Sequence, residues 1–283
     1  MRSVYLITIA LLAVSTCYGG LVGTAVDPNS TLSNWGELYN IDPVTGATSP
    51  LRPFFLYGIG DSPLPATIFG SSTINLYALN LDTNVVSHYN PNGALDLAYD
   101  GDHNVLYGVF PDSLVTISPD PCDYVPCPTI HTVGSFGGLQ MWALGYVPGE
   151  GLYGVDGMFG TLWRIDPTNA ALTAVGPTGV GWLLTGMGIT DIEWDSGTGR
   201  MIATAGGPES FDTFGDGPSP LGPPLTSGKI YLLDRQTGAL TLLNDNAPNF
   251  FGLAEATPEP GSFFLIMMGA LAVAGGRLVR RRR

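Results

Sequence analysis

LYNIDPVTGA, residues 38–47, carries the fold in its two halves: an alternating apolar run of five residues, then an Asp, a Pro and a Gly spaced for a tight turn. The first half returns as LYALN (76–80), LVTIS (114–118), LWRID (162–166) and IYLLD (230–234). Each reads as a strand ending at a polar residue that can start a turn. The second half returns as DPTNAA from Asp166 and DRQTGA from Asp234. Asp accepts backbone N–H bonds two residues on, Pro presets φ, and Gly tolerates positive φ. A further strand follows each turn, as in ALTAVG (171–176) and ALTLLN (239–244).

Upstream of the repeated strand lies a second pair: ALDLAYD (94–100) with VLYGVF (105–110), WALGYV (142–147) with GLYGVD (151–156), and TDIEWD (190–195) with MIATAG (201–206). The unit is therefore four short strands. Its spacing is 38, 38, 48 and 68 residues, and removing the Pro/Gly-rich stretch 207–228 as a loop insertion reduces the last to 46. Four antiparallel strands at this period describe a propeller blade, and five copies predict an all-β propeller of about five blades. The amino end supplies strands near 22–26 and 37–50 but no innermost strand of its own. NFFGLAEA (249–256) is placed to supply it and close the ring. Closure also leaves only short, protected sheet edges, whereas an open stack of repeats needs caps.

The 283 residues include 39 Gly and 23 Pro, yet 45% are hydrophobic, which is the balance of a turn-rich folded chain. Eleven basic against 24 acidic residues give a net charge of −13. Residues 20–256 hold only Arg52, Arg164, Arg200, Lys229 and Arg235 against 23 acids, a net −18. Nucleic-acid binding is excluded as a class on that charge.

The two ends read as addresses. Arg2, the apolar run 4–14 and the small residues up to Gly20 have the parts of a secretory signal peptide, assigned to 1–19. At the other end Pro258, Glu259 and Pro260 precede an uncharged apolar run, 263–276, that continues through Leu278 and Val279 as a marginal transmembrane helix. Arg277, Arg280, Arg281, Arg282 and Arg283 follow and should stay cytoplasmic, leaving the body outside the inner membrane. This order of PEP, apolar helix and terminal Arg cluster over 257–283 resembles the PEP-CTERM sorting signal of Gram-negative bacteria. The resemblance implies export, transient anchoring by the tail, recognition of Pro258, Glu259 and Pro260 by an exosortase, and an association with exopolysaccharide and biofilm. Signal peptidase would process the other end. Its reach is the tail alone; the body, 20–256, has to be read from its own residues.

Those residues offer little chemistry. With Cys17 removed in the signal peptide, Cys122 and Cys127 are the remaining cysteines, and an oxidising compartment favours a disulfide between them. A zinc site with His131 would have only three loosely spaced ligands. Asp100, Asp102 and Asn104 resemble the start of a calcium loop, but Val105 and Pro111 occupy the positions where an EF-hand needs Gly and Glu, and a hairpin turn is expected there. Gly60-Asp61-Ser62 is similar to a nucleophile string of some esterases, with none of His88, His103 and His131 in a matching context. Trp163 and Trp194 read as surface or blade-packing residues. Asp96 and Asp191 begin the expected innermost strands, where they could line a central channel and jointly hold a cation such as calcium; no other metal and no cofactor are expected.

The sequence thus points to an exported, non-enzymatic binding or scaffold protein of the cell surface or extracellular matrix. The alternative is a propeller hydrolase or lyase acting on an extracellular glycan or lactone through Asp96, Asp191 and Glu193. A histidine converging with those carboxylates would favour that alternative.

Overall fold

A computed structural model describes residues 20–26, 36–54, 56, 58–71, 75–89, 94–117, 130–206 and 228–256. The expected signal segment 1–19, most of the 207–228 insertion, Cys122, Cys127 and the whole 257–283 tail lie outside the described residues. So do Pro258, Glu259 and Pro260, the expected sorting residues, and the terminal arginines. Among the described residues no helix is long and apolar enough to cross a membrane.

Among the described residues, twenty strands form five four-stranded antiparallel sheets. The first sheet contains β1 (Gly20–Val26), β2 (Gly36–Ile41) and β3 (Thr48–Pro53). The second contains β4 (Ile59–Asp61), β5 (Thr67–Ser71), β6 (Leu76–Asn80) and β7 (Val86–Tyr89). The third contains β8 (Asp96–Asp100), β9 (Val105–Phe110), β10 (Ser113–Ile117) and β11 (His131–Ser135). The fourth contains β12 (Met141–Val147), β13 (Gly151–Asp156), β14 (Thr161–Ile165) and β15 (Leu172–Pro177). A single helical turn, α1 (Trp182–Thr185), leads to the fifth: β16 (Gly188–Asp195), β17 (Arg200–Gly206), β18 (Gly228–Leu233) and β19 (Leu240–Ala247). The chain's last strand, β20 (Phe250–Ala256), pairs with β1 and completes the first sheet in the order β20-β1-β2-β3. The expected five-bladed ring is therefore present, and residues 249–256 do close it.

The innermost strands β4, β8, β12, β16 and β20 contact one another in that circular order. Five buried apolar clusters fill the five seams between adjacent blades. One joins Val109 and Leu114 to Met141 and Leu144; another joins Val155 and Leu162 to Ile192 and Met201. The seam at the ring closure packs Phe250 and Leu253 against Ile202 and Ile230. Each blade buries apolar residues in both of its seams, so the hydrophobic gain of one blade depends on both neighbours. The ring is a single cooperative core.

The polar turns do what their residues dictate. Asp42 Oδ1 accepts the Val44 N–H at 2.8 Å, and Asp166 and Asp234 accept the N–H groups of Thr168 and Gln236 in the same way. Gly46 and Gly238 take the left-handed conformation these turns need, with φ of 70° and 79°.

Because strand direction alternates, first-to-second and third-to-fourth strand connections lie on one face of the ring, the lower face. Second-to-third connections and the crossovers between blades lie on the upper. Gly20 is paired with Ala256, so the two ends of the ring leave side by side on the lower face. The flanks of the insertion, at Gly206 and Gly228, and helix α1 lie on the upper face.

Candidate functional site: an acidic axis

The innermost strand of each blade pairs on one side only, which leaves its other edge turned to the ring axis. Five carboxyls gather there: Asp61 at the end of β4, Asp96 at the start of β8, Asp191 and Glu193 on β16, and Glu255 near the end of β20. Asp96 and Asp191 are 0% exposed, Glu193 and Glu255 are buried and Asp61 is half-buried. Asp191 is the fourth residue of β16, not its first, since the strand starts at Gly188; its carboxyl consequently reaches the axis at mid-height.

Three of these carboxyls bridge from one innermost strand to another. Asp96 Oδ2 accepts the Leu144 N–H of β12 at 2.8 Å while its Oδ1 accepts the Leu97 N–H at 2.9 Å. Asp191 Oδ2 accepts the Leu253 N–H and Asp61 Oδ1 the Glu255 N–H, both on β20. Blades meeting along an axis have no strand ladder between them, so side-chain acceptors satisfy edge N–H groups that would otherwise be buried alone. Glu193 bonds locally, to the Trp194 N–H at 2.7 Å, and Glu255 reaches Ser196 of the adjacent blade through its N–H and hydroxyl.

Across the axis, the carboxyls of Asp96 and Asp191 are close enough to perturb one another although their strands are separated in the ring by β12. Burial pushes both well above the usual carboxylate range. The charge of Asp96 and its hydrogen bond raise Asp191 further, whereas the same bond and two backbone N–H groups pull Asp96 back. Burial likewise raises Glu193, with the charge of Asp61 adding to it. Asp61 is pushed up to about 8, first by burial and then by the Glu255 charge, against the opposing N–H of Glu255.

The named carboxylates Asp96, Asp191 and Glu193 thus converge, and no described histidine joins them. His103 pairs with Asp100 at 2.8 Å in a lower-face hairpin, and His131 opens the outer strand β11. His88 lies on outer strand β7. The Asp100-Asp102-Asn104 segment is the hairpin turn its position requires. Asp100 Oδ1 accepts the N–H groups of Asp102 and His103, and Asp102 Oδ2 is filled by the Tyr146 hydroxyl and the Gly149 N–H. Gly60-Asp61-Ser62 forms no elbow: Asp61 ends an innermost strand and bonds to β20. Trp163 and Trp194 pack against the blade seams, Trp194 beneath the Arg235 guanidinium at 4.9 Å. Among the described residues no three His, Cys, Asp or Glu side chains form a ready metal-ligand set.

Asp61 and Glu255 are members of the axis that sequence reasoning missed. The available signal was positional: once 249–256 is taken as an innermost strand, its acid should face the acids of the others.

On the upper face, Phe159 of the β13–β14 turn and Leu183 and Leu184 of α1 are 54%, 60% and 61% exposed. Backbone bonds from Trp182 to Gly157 and from Leu183 to Met158 fasten the two loops together. They form a joined apolar patch beside the turn of the fourth blade.

No protein-family model and no curated protein matches the chain. Among solved structures it is similar to a chain of a nidogen/laminin complex, with 9% identity over 85% of this chain and 100% of that one, at a TM-score of 0.51. A protein of Bacteroides fragilis provisionally described as a 6-phosphogluconolactonase is 12% identical over 83% of this chain and 97% of its own, at 0.41. A Lactobacillus plantarum protein is 11% identical over 83% and 98%, at 0.44. The likeness is one of fold alone.

Proposed function

We propose that this chain is an exported binding or scaffold propeller of the cell surface or extracellular matrix, sorted and released through its PEP-CTERM tail, with its upper face presented to an extracellular ligand such as exopolysaccharide. The observation that carries this reading is the use of the axial carboxyls. Asp61, Asp96 and Asp191 are each occupied by a backbone N–H of another innermost strand, so they hold blades together where a hydrolase would hold a water and a leaving group. The adjacency of Gly20 and Ala256 supports the same reading. A tail leaving the lower face directs the opposite face, with Phe159, Leu183 and Leu184, away from the membrane.

The test pairs a binding assay with a turnover screen. Purified exopolysaccharide and a glycan array are probed with the wild-type chain, a Leu183→Asp/Leu184→Asp variant and a lower-face control, Gln236→Ala. Binding lost in the first variant and kept in the second is expected. Turnover of a glycan or lactone that disappears in a folded Glu193→Gln variant would replace the binding reading by the hydrolase or lyase. Processing is checked by intact mass of the exported protein: the species should lack Arg280 to Arg283, and a mature form retaining them would remove the sorting assignment.

A further inference from the structure

Asp96 and Asp191 present an electrostatic problem that the protein side chains leave unsolved. Asp96 has both oxygens occupied by the N–H groups of Leu97 and Leu144. Asp191 has one oxygen on the Leu253 N–H, while its Oδ1 is buried and has no donor. The two carboxyls nevertheless act directly on one another. With both ionised neither can satisfy the other, since carboxylates only accept, so the pair needs either a shared proton or a positive charge between the two groups. Among the described residues no basic side chain is seen to provide that charge. Arg52 reaches the Leu81 carbonyl, Arg235 the Glu150 carboxylate and His103 the Asp100 carboxylate. Glu193, two residues along β16, adds negative potential to both.

We propose that a calcium ion binds on the ring axis between Asp96 and Asp191, taking Asp191 Oδ1 as a ligand and tying the third blade to the fifth. The donor set selects the ion. It offers oxygen without nitrogen or sulfur, and two carboxylates supply charge. Backbone carbonyls of the one-sided innermost strands and water would complete the shell. Calcium accepts six to eight such oxygens in irregular geometry, whereas magnesium needs a compact octahedron and gives up its water reluctantly. The ion links strands that share no backbone ladder, so its binding reads out as ring stability.

The experiment uses the full chain stripped with EDTA. Thermal unfolding at neutral pH is followed in EDTA, in millimolar magnesium and in millimolar calcium, with isothermal titration of calcium alongside. Calcium is expected to raise the midpoint by about 4 °C or more, with magnesium giving a small fraction of that, and to bind once per chain. Asp191→Asn keeps an acceptor for the Leu253 N–H and should abolish the calcium increment. Asp42→Asn, in a surface turn, should retain it. Asp96→Asn provides a second variant should Asp191→Asn fail to fold, and is expected to weaken calcium binding at least tenfold by titration. Equal shifts with both cations, no saturable calcium heat, or an undiminished increment in Asp191→Asn would overturn the site and leave a shared proton as what joins the two carboxyls.

Discussion

Replacing Asp61 by Asn should make the propeller less sensitive to alkali, with a size that follows from the axis geometry. In the folded ring its carboxyl is held at about 8 against an ordinary 3.8, chiefly by burial and then by Glu255. The folded state therefore binds a proton more tightly than the unfolded chain. The stability this contributes is complete below about pH 4 and is lost as pH rises through the folded value near 8. Each pH unit in that window is worth about 1.4 kcal/mol for a full proton. The side chain is half-buried, and water reaching it reduces the effect, so a rise from pH 5 to 7 should cost about 1–2 kcal/mol through this residue. Asn removes the ionisation while its side-chain oxygen can still accept the Glu255 N–H. Guanidinium chloride unfolding at five pH values from 5 to 8.5, all in EDTA, gives the two stability curves. They should diverge as pH rises, the Asp61→Asn chain gaining about 1–2 kcal/mol on the wild type between pH 5 and pH 7. Parallel curves, or a variant weaker than wild type at pH 8, would refute the assignment of a proton-binding carboxyl to this position.

Two further substitutions test the ring and its turns. Phe250→Ala removes a fully buried ring that lies edge-on to Tyr39, with centroids 5.6 Å apart, at the seam where the last strand closes the circle; it should cost about 3–5 kcal/mol in chemical unfolding, and a loss under 1 kcal/mol would deny that seam its importance. Gly160→Ala should cost more than about 2 kcal/mol, because φ is 68° and the new methyl would lie 1.9 Å from the Val180 carbonyl, whereas Gly137→Ala, at φ 70° with open space, should cost about 1 kcal/mol; equal losses in the two, by thermal scan, would show that crowding against the crossover loop contributes nothing.

The blade repeat was legible because its signals are local. Asp42, Asp166 and Asp234 bond to N–H groups within their own turns, and the strands before and after them alternate in register with those turns. The second blade was legible only in part. Its third strand stands out as LYALN, but β4 has three residues, too few for alternation to register, and β5 spends one of its five on Gly70. That glycine has a packing reason: a Cβ there would run into Leu56, as one at Gly154 would meet Met141. Second-strand glycines make room for the apolar residue that precedes or opens the innermost strand of the same blade, a relation invisible before the sheet is assembled. Helix α1 likewise escapes a strand-based reading, since one turn of WLLT carries no periodicity and is held by backbone bonds to a neighbouring hairpin.

For the site, the chain itself named Asp96, Asp191 and Glu193 as acids of innermost strands, and the ring decided what they do. Which carboxyl meets which N–H depends on how five strands drawn from residues 59 to 256 are arranged around one axis, and residues as far apart as Asp61 and Glu255 become partners only on closure. What the sequence by itself determined is the repeated unit, its approximate number and the strand placed to complete the circle. Strand period and turn chemistry act over a few residues and are written there in full. The tertiary structure alone decided that five acids would share a buried axis, that Asp191 Oδ1 would lack a donor and that Phe159 would lie beside Leu183. Desolvation and charge proximity belong to positions in space, and no local pattern encodes them.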